Sequence, residues 1–293
     1  MQQTDRLTES MEHALTTRWR KTIWRPFLSA MQRYQMTQPH DRIAVCISGG
    51  KDSWLLAVCL RLLQKHSNIP FELVFLTMDP GFTPEKRAKL LETARRLELP
   101  LHMFETDIFR IIQDVKSPCH VCASMRRGNL YHEAQKLGCN KIALGHHMDD
   151  AAETVLLGLL YGGEFQAMLP KLYSRNFPGM QLIRPLYQVR EARIISWQRA
   201  YALPVTACAC RVTQREDGGK RREMKTLLAQ IERTNPHAVS NIVLSTTRVN
   251  LNTVLGWRET RTSPLRSCMQ DVLFSQNMDD NAQEMIDSGD ASD

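Results

Sequence analysis

From residue 42 onward, short runs of almost continuous apolar residues alternate with longer stretches whose apolar positions recur every three or four residues. The runs "RIAVCIS", "FELVFLTMD", "LHMFETDIF", "KIALGHH" and "QLIRPLY" predict strands. Between and after them, "SWLLAVCLRLLQKH", "PEKRAKLLETARRLE", a stretch near residues 122–137, "AAETVLLGLLYGG" and "EARIISWQRAYAL" predict helices. Strands that are apolar on both faces and separated by amphipathic helices predict an α/β fold, a doubly wound and mostly parallel sheet covered on both sides. Ligands of such sheets bind beyond the carboxyl ends of the strands, so chemistry is expected in the segments that follow each strand.

Two flanking regions behave differently. In "TRWRKTIWRPFLSAMQRYQ", Trp19, Ile23, Phe27, Met31 and Tyr34 fall at helical spacing, which predicts a helix that kinks or restarts at Pro26 and packs one face on the body. Downstream, "REDGGKRREMKTLLAQIERTNPHAVSNIVLS" continues as helices. The expected organisation is a helical segment over 1–38, an α/β domain over 39–210, a small helical extension over 211–256 and a mostly disordered tail over 257–293.

Charge sharpens this division. The 293 residues carry a net +7, but the last seventeen hold six acids and no base, so residues 1–276 stand at +13. A body that basic suits a polyanion such as RNA, and the acidic tail has the composition of a disordered segment. At 43% hydrophobic the chain can bury a sizeable core, no run is apolar enough to span a bilayer, and the first residues lack the apolar stretch of a secretory signal. A cytoplasmic protein with no membrane partner is expected.

Candidate chemistry sits where the strand pattern points. "SGGKDS", Ser48 to Ser53, follows the first strand and opens the first helix of the α/β pattern. Gly49 and Gly50 let backbone N–H groups close around an anion, the helix start adds positive potential, and Lys51 adds a cation. The spacing is neither that of a Walker A loop nor that of a dinucleotide fingerprint. Asp79 ends the second strand, and "LGHHMDDAAET" brings Gly145, His146, His147, Asp149, Asp150 and Thr154 to the end of a later one. Carboxylates beside a triphosphate can hold Mg²⁺ and imidazoles can move protons there, although His and Asp at this spacing could equally bind a transition metal or cap a helix.

Eight cysteines without an export signal fit a reducing compartment. Cys46, Cys59, Cys139 and Cys268 are isolated and read as small buried hydrophobes. Cys119 and Cys122, in "SPCHVC", are placed in the loop before the helix near 122–137, with Arg126 and Arg127 close enough in sequence to favour thiolates. Cys208 and Cys210 form a second pair, and all four together make an awkward zinc site because C-x-C is short for sharing one tetrahedral ion.

At SGGKDS the chain resembles the PP-loop ATP pyrophosphatase family, whose fold is of the adenine-nucleotide α-hydrolase type. The ordered set SGGKDS, "PCHVC", "LGHHMDD", "GGEFQAMLP", "IRPLYQVRE" and "ALPVTACAC" resembles its tRNA 2-thiocytidine synthetase group from about residue 15 to 250. That resemblance implies ATP bound by Ser48, Gly49, Gly50, Lys51, Asp52 and Ser53, with Asp79, Gly145, His146, Asp149 and Asp150 around it and Mg²⁺ on the phosphates. It implies a [4Fe-4S] cluster held by Cys119, Cys122 and Cys208 with one iron free of protein ligands, and a catalytic set of Lys51, Asp52 and these three cysteines. The chain departs from the group at the third ligand, where Ala207 precedes Cys208 and C-A-C replaces C-x-x-C, so Cys210 stays open as ligand or persulfide carrier.

The implied reaction adenylates a nucleobase carbonyl oxygen of tRNA and replaces it with sulfur, at cytidine 32 in the first instance. Arg211, Arg215, Lys220, Arg221, Arg222 and Lys225 would then hold the tRNA backbone. A sulfur donor such as a cysteine desulfurase or free sulfide is required, and a homodimer stays open. The rival readings are a 2-thiouridine synthetase, a PP-loop ligase with structural zinc, a cluster-dependent thiobase desulfurase and a zinc-bearing RNA-binding module. Uridine thiolases of the superfamily carry zinc-finger cysteine pairs at both ends, which this chain lacks.

Overall fold

The structure, a computed structural model, describes residues 2–106, 118–205, 219–258, 262–264 and 266. It divides into two compact units, residues 1–243 and 244–293. The expectations for Cys208, Cys210, Cys268, Arg211, Arg215 and the acidic tail lie outside the described residues.

The first unit opens with α1 (Gln2–Thr16), a π-helical turn (Arg20–Trp24) and α2 (Arg25–Arg33). Trp19, Ile23, Phe27 and Met31 are buried as their spacing predicts, joined by Met11 and Leu15 of α1, which lies within the helical segment expected over 1–38. Pro26 has no N–H to give to the preceding turn, and the chain widens there into the π turn, with Trp24 N–H donating to the Trp19 carbonyl at 3.2 Å. Glu12 ties α1 to the body by accepting from Arg61 Nε at 3.1 Å and Lys65 Nζ at 2.7 Å.

The α/β body follows as β1 (Asp41–Cys46), α3 (Lys51–His66), β2 (Phe71–Asp79), α4 (Pro84–Arg96), β3 (Leu101–Glu105), α5 (Pro118–Lys136), β4 (Lys141–Ala143), α6 (Met148–Gly162), β5 (Lys171–Tyr173), β6 (Gln181–Ile183) and α7 (Glu191–Ala200). Helices α8 (Gly219–Glu232) and α9 (Ala238–Ser245) come last. The six strands lie in the order β3-β2-β1-β4-β6-β5, all parallel except β5, which pairs antiparallel with β6. The doubly wound, mostly parallel sheet expected from the pattern is therefore present.

Alternation along β1 builds both sides of the core. Ile43 and Val45 join a cluster with Trp54, Leu55 and Trp197, while Ala44 and Cys46 join one with Tyr131, Ile142 and Leu182. Cys46, Cys59 and Cys139 are buried free thiols, as expected, with burial pushing the first two up to about 12 and to a value beyond the ordinary titration range. At the amino end of the sheet Lys141 and Asp41 form a buried ion pair at 2.5 Å, closed by Lys141 Nζ donating to the Met36 carbonyl and by Gln38 N–H and Asn140 Nδ2 donating to Asp41.

Three local expectations need correction. The strands predicted over 141–147 and 181–187 end at Ala143 and Ile183, with one further backbone bond each, from Leu144 N–H to the Ile183 carbonyl and from Arg184 N–H to the Pro170 carbonyl. The short edge strand β5 was not foreseen. Helix α5 starts at Pro118, a residue suited to a first helical position, so Cys119 and Cys122 lie in its opening turns and not in a loop before it. In the second unit, Asn250 caps a 3-10 turn over Leu251–Thr253, and Trp257 bridges to Arg266.

Candidate functional site

The order of strands reverses between β1 and β4, which opens a crevice at their carboxyl ends. The loop Ser48–Ser53 leaves β1 on one side of it, and residues 144–150 leave β4 on the other.

The first loop is shaped by its own hydroxyls. Ser53 Oγ donates to the Gly50 carbonyl at 2.8 Å and accepts from Ser48 N–H at 3.2 Å, and Gly50 N–H donates to Ser48 Oγ at 3.3 Å. Gly49 takes a φ of +81°, open to glycine without strain. Gly50 is the N-cap of α3 and no side chain caps that helix, so its first-turn amides keep their capacity for an anion. Lys51 Nζ rests between Asp52 Oδ2 at 3.0 Å and Glu191 Oε1 at 3.1 Å. Burial works to lower the Lys51 pKa, but the two carboxylates outweigh it and hold the ammonium above the ordinary lysine value. Asp52 Oδ1 is buried with no hydrogen-bond partner among the described residues, an acceptor suited to a cation or a bound ligand.

The second loop fits closely against the first. A Cβ added at Gly145 would lie 3.1 Å from the Asp52 carbonyl carbon and 3.2 Å from its oxygen and Cβ, so glycine here permits the approach of β4's exit to the first turn of α3. His147 is the N-cap of α6: its Nδ1 accepts from Asp150 N–H at 3.3 Å, and its own N–H donates to Asp150 Oδ2 at 3.0 Å. The capping alternative is thus realised for this pair, which leaves His147 Nε2 3.8 Å from Asp52 Oδ1. Thr154 donates back to the Asp150 carbonyl within the helix.

Neither carboxylate of the "HHMDD" stretch is idle. Asp149 accepts from Arg190 Nε and Nη2 and, at 2.7 Å, from Glu191 N–H, which joins α6 to the start of α7. Asp150 meets Arg221 at 3.5 Å. Asp79 organises the turn after β2, accepting from Gly81 N–H at 2.9 Å and Phe82 N–H at 2.6 Å, with Arg87 3.5 Å from its other oxygen. Among the described residues no group of three or more His, Cys, Asp and Glu is arranged to hold a metal ion.

His146 points its ring to the other flank, where Arg184 Nε donates to His146 Nδ1 at 3.4 Å. Burial first, then the positive charge of Arg184, push the His146 pKa down to about 4, so the ring is neutral near pH 7 with its proton on Nε2. Burial and the charge of Arg127 lower Arg184 itself to about 10.

Three residues without an assigned role thus belong to the site: Arg184, Arg190 and Glu191. All lie in the "IRPLYQVRE" stretch, where lone charges at a strand end and a helix start were the available signal. Glu191 is held from two sides, by Lys51 and by Lys225 Nζ at 2.7 Å. Burial alone would raise its pKa, yet Lys225, Lys51 and His147 bring it to about 2. Arg221 reaches Glu153 at 2.9 Å, Arg190 reaches Glu232 at 2.7 Å, and Lys220 lies 4.4 Å over the Tyr161 ring. Lys220, Arg221 and Lys225 therefore tie α8 to α6 and α7 while remaining on its exposed side, so part of the basic charge expected to face RNA is also used within the protein.

Cys119 and Cys122 stand three residues apart at the start of α5, and by the parallel topology this helix start opens on the same carboxyl edge. Their side chains lie outside the described part of the structure.

Residues 22–205 match the family model of the PP-loop domain. The chain is 39% identical over 211 residues to a tRNA-cytidine(32) 2-sulfurtransferase of Geobacter sulfurreducens, covering 71% of this chain and 81% of that protein. It is 38% identical over 239 residues to one of Geotalea uraniireducens, covering 80% and 92%. Among solved structures, the U34-tRNA thiolase NcsA from Methanococcus maripaludis, with its [4Fe-4S] cluster, superposes with a TM-score of 0.61 at 19% identity over 90% of this chain and 85% of that one, a likeness of fold.

Proposed function

Since the chain belongs to the PP-loop family, among the tRNA-cytidine(32) 2-sulfurtransferases, we propose that it uses ATP to replace the C2 carbonyl oxygen of a tRNA cytidine, at position 32, with sulfur. The observation that carries this reading is the uncapped start of α3, with Lys51 and an Asp52 Oδ1 that has no hydrogen-bond partner among the described residues, opening on the same sheet edge as the helix start that bears Cys119 and Cys122.

The first-turn amides of α3 and the Ser48 and Ser53 hydroxyls receive the ATP phosphates, and Lys51 exchanges part of its contact with Asp52 and Glu191 for phosphate oxygens. Asp52 Oδ1 would help to hold a Mg²⁺ ion brought by the nucleotide, which would offset charge on the phosphates. The cytidine oxygen attacks the α-phosphorus and pyrophosphate leaves. Sulfide sulfur then bonds to C2, and AMP departs carrying the original oxygen. Glu191, clamped by Lys225, keeps Lys51 from swinging away, and neutral His146 offers an N–H donor beside the edge.

Cys119, Cys122 and Cys208 would hold a [4Fe-4S] cluster, which supplies an open iron able to bind the sulfur to be transferred. Three thiolates and no nitrogen ligand suit iron–sulfur chemistry, and a cysteine desulfurase or free sulfide provides the sulfur. No helix among the described residues is long and apolar enough to cross a membrane.

Nucleoside mass spectrometry of tRNA from a deletion strain tests the assignment. 2-Thiocytidine should vanish, return with the wild-type gene, and stay absent with Lys51→Ala or Cys119→Ala. Persistence of every thionucleoside in the deletion strain would refute it. Anaerobically purified protein should be brown with about four irons per chain, whereas colourless protein with one zinc would point to a ligase with structural metal.

A further inference from the structure

Arg184 sits at the carboxyl end of β6 with 7% of its surface exposed, and its hydrogen bonds go to two neutral acceptors, His146 Nδ1 and the Leu169 carbonyl. No carboxylate among the described residues lies within ion-pair distance of it. The charged group that acts on it most is a second cation, Arg127 of α5, ahead of the Tyr131 and Tyr187 hydroxyls. The carboxylate that acts on it, Asp150, contributes less and is engaged by the His147 N–H at 3.0 Å and by Arg221 at 3.5 Å.

A guanidinium this far from water, without a counter-ion and facing a like charge, is unfavourable unless an anion joins it. Every other buried or half-buried base described above has its carboxylate: Lys141 has Asp41, Arg61 has Glu12, Arg190 has Asp149 and Glu232. Arg184 is the exception in that set, and it follows β6 directly at the carboxyl edge of the sheet. The His146 Nδ1 is occupied by Arg184, so its proton stays on Nε2, on the opposite edge of the ring.

Resting on the assignment of this chain to tRNA thiolation, we propose that Arg184, oriented by His146 Nδ1 and joined by Arg127, forms a phosphate-binding subsite on the β6 flank of the sheet edge, separate from the Ser48–Ser53 loop. It lies two strand spacings, about 10 Å, from β1. The ligand chemistry is a phosphate monoanion taken by a planar fork of N–H donors. Its source is a backbone phosphodiester next to the target cytidine or the phosphate of the adenylated base.

The test uses the full-length chain, anaerobically reconstituted, with labelled tRNA at several salt concentrations and pyrophosphate release measured in parallel. For an RNA phosphodiester, Arg184→Gln weakens tRNA binding about tenfold and flattens the slope of log Kd against log salt by about 0.9. Arg184→Lys keeps the slope, since it keeps the charge. For the adenylate phosphate, tRNA affinity stays unchanged and pyrophosphate release slows about tenfold, with the ATP KM unaltered. Arg127→Gln, exposed and outside the core, should move the same observable in the same direction with a smaller amplitude, and it guards against a folding defect in the Arg184 variants. If both Gln variants are folded and match the wild type in tRNA affinity, salt slope and pyrophosphate release, the subsite does not exist. A wild-type chain that neither binds tRNA nor releases pyrophosphate overturns the functional assignment, and this subsite with it.

Discussion

Replacing Gly145 with alanine tests the geometry of the crevice with a single methyl group. No left-handed backbone angle is required of Gly145, so alanine meets no conformational penalty and its whole effect comes from contact. The new Cβ would stand 3.1 Å from the Asp52 carbonyl carbon and 3.2 Å from its oxygen and Cβ. Carbon atoms in comfortable contact stand about 3.5–4.0 Å apart, so the two segments must separate by roughly half an ångström. Two of the three obstructing atoms are backbone, which means that the first turn of α3 itself moves, carrying Lys51 and the loop amides with it. Overpacking of this kind destabilises by about 1–3 kcal/mol. A displacement of 1 Å can lower a rate about a hundredfold, so half of that predicts about a tenfold fall in kcat/KM for tRNA-dependent pyrophosphate release. The control is Gly128→Ala in α5, where a Cβ meets nothing within 4 Å and the change should stabilise by up to about 1 kcal/mol. Stability is read by urea denaturation and activity by stopped-time pyrophosphate assays. A Gly145→Ala protein with wild-type stability and kcat/KM would refute the close approach of the two loops, and with it the reason for a glycine at that position.

At the opposite end of the sheet, Lys141→Met strands a buried Asp41 carboxylate that keeps its bonds from Gln38 N–H and Asn140 Nδ2 but loses its counter-ion. The expected loss is about 3–5 kcal/mol in urea denaturation, most of it recovered in Lys141→Met with Asp41→Asn, and a single-variant loss below about 1 kcal/mol would contradict the pairing. Acid should weaken the fold in two stages. His146 has a folded pKa of about 4 against 6.5 unfolded, so between these values the unfolded chain binds the proton first, and stability falls as pH drops through that window by on the order of 3 kcal/mol. Glu191, at about 2 against 4.5, contributes stability above pH 4.5 that is lost as pH falls toward 2. His146→Gln should remove the upper stage of a stability-against-pH curve and leave the lower one, and a curve with both stages unaltered would show that His146 is not held neutral by its surroundings.

What the linear sequence could show follows from the distance over which each feature is decided. The sheet was legible because each long strand and helix carries its own period, whereas three-residue β5 has no period to read, and α1 buries Met11 and Leu15 within a largely polar stretch. The phosphate loop was legible because Ser48 to Ser53 bond to one another. The "HHMDD" stretch was ambiguous for the converse reason: its members are neighbours in sequence but are divided among tasks by partners far away. His147 caps α6, Asp149 holds Arg190 forty-one residues on, and His146 turns to Arg184 thirty-eight residues on. The same long-range pairing changes the meaning of the basic run after Cys210. Lys220 to Lys225 looks like a surface for RNA when only its charges are summed, but Glu153 and Glu191 neutralise Arg221 and Lys225 in place. Charge that is already paired adds little to an RNA-binding field, because releasing counterions requires a cation that phosphate can neutralise. Among the described residues, a cation that is both buried and without a carboxylate in ion-pair range is Arg184, a lone arginine in an apolar run that no charge count would single out. Electrostatic recognition at this edge is therefore better sought in unmatched charge than in dense charge, and the salt dependence of the Arg184 and Arg127 variants measures that difference directly.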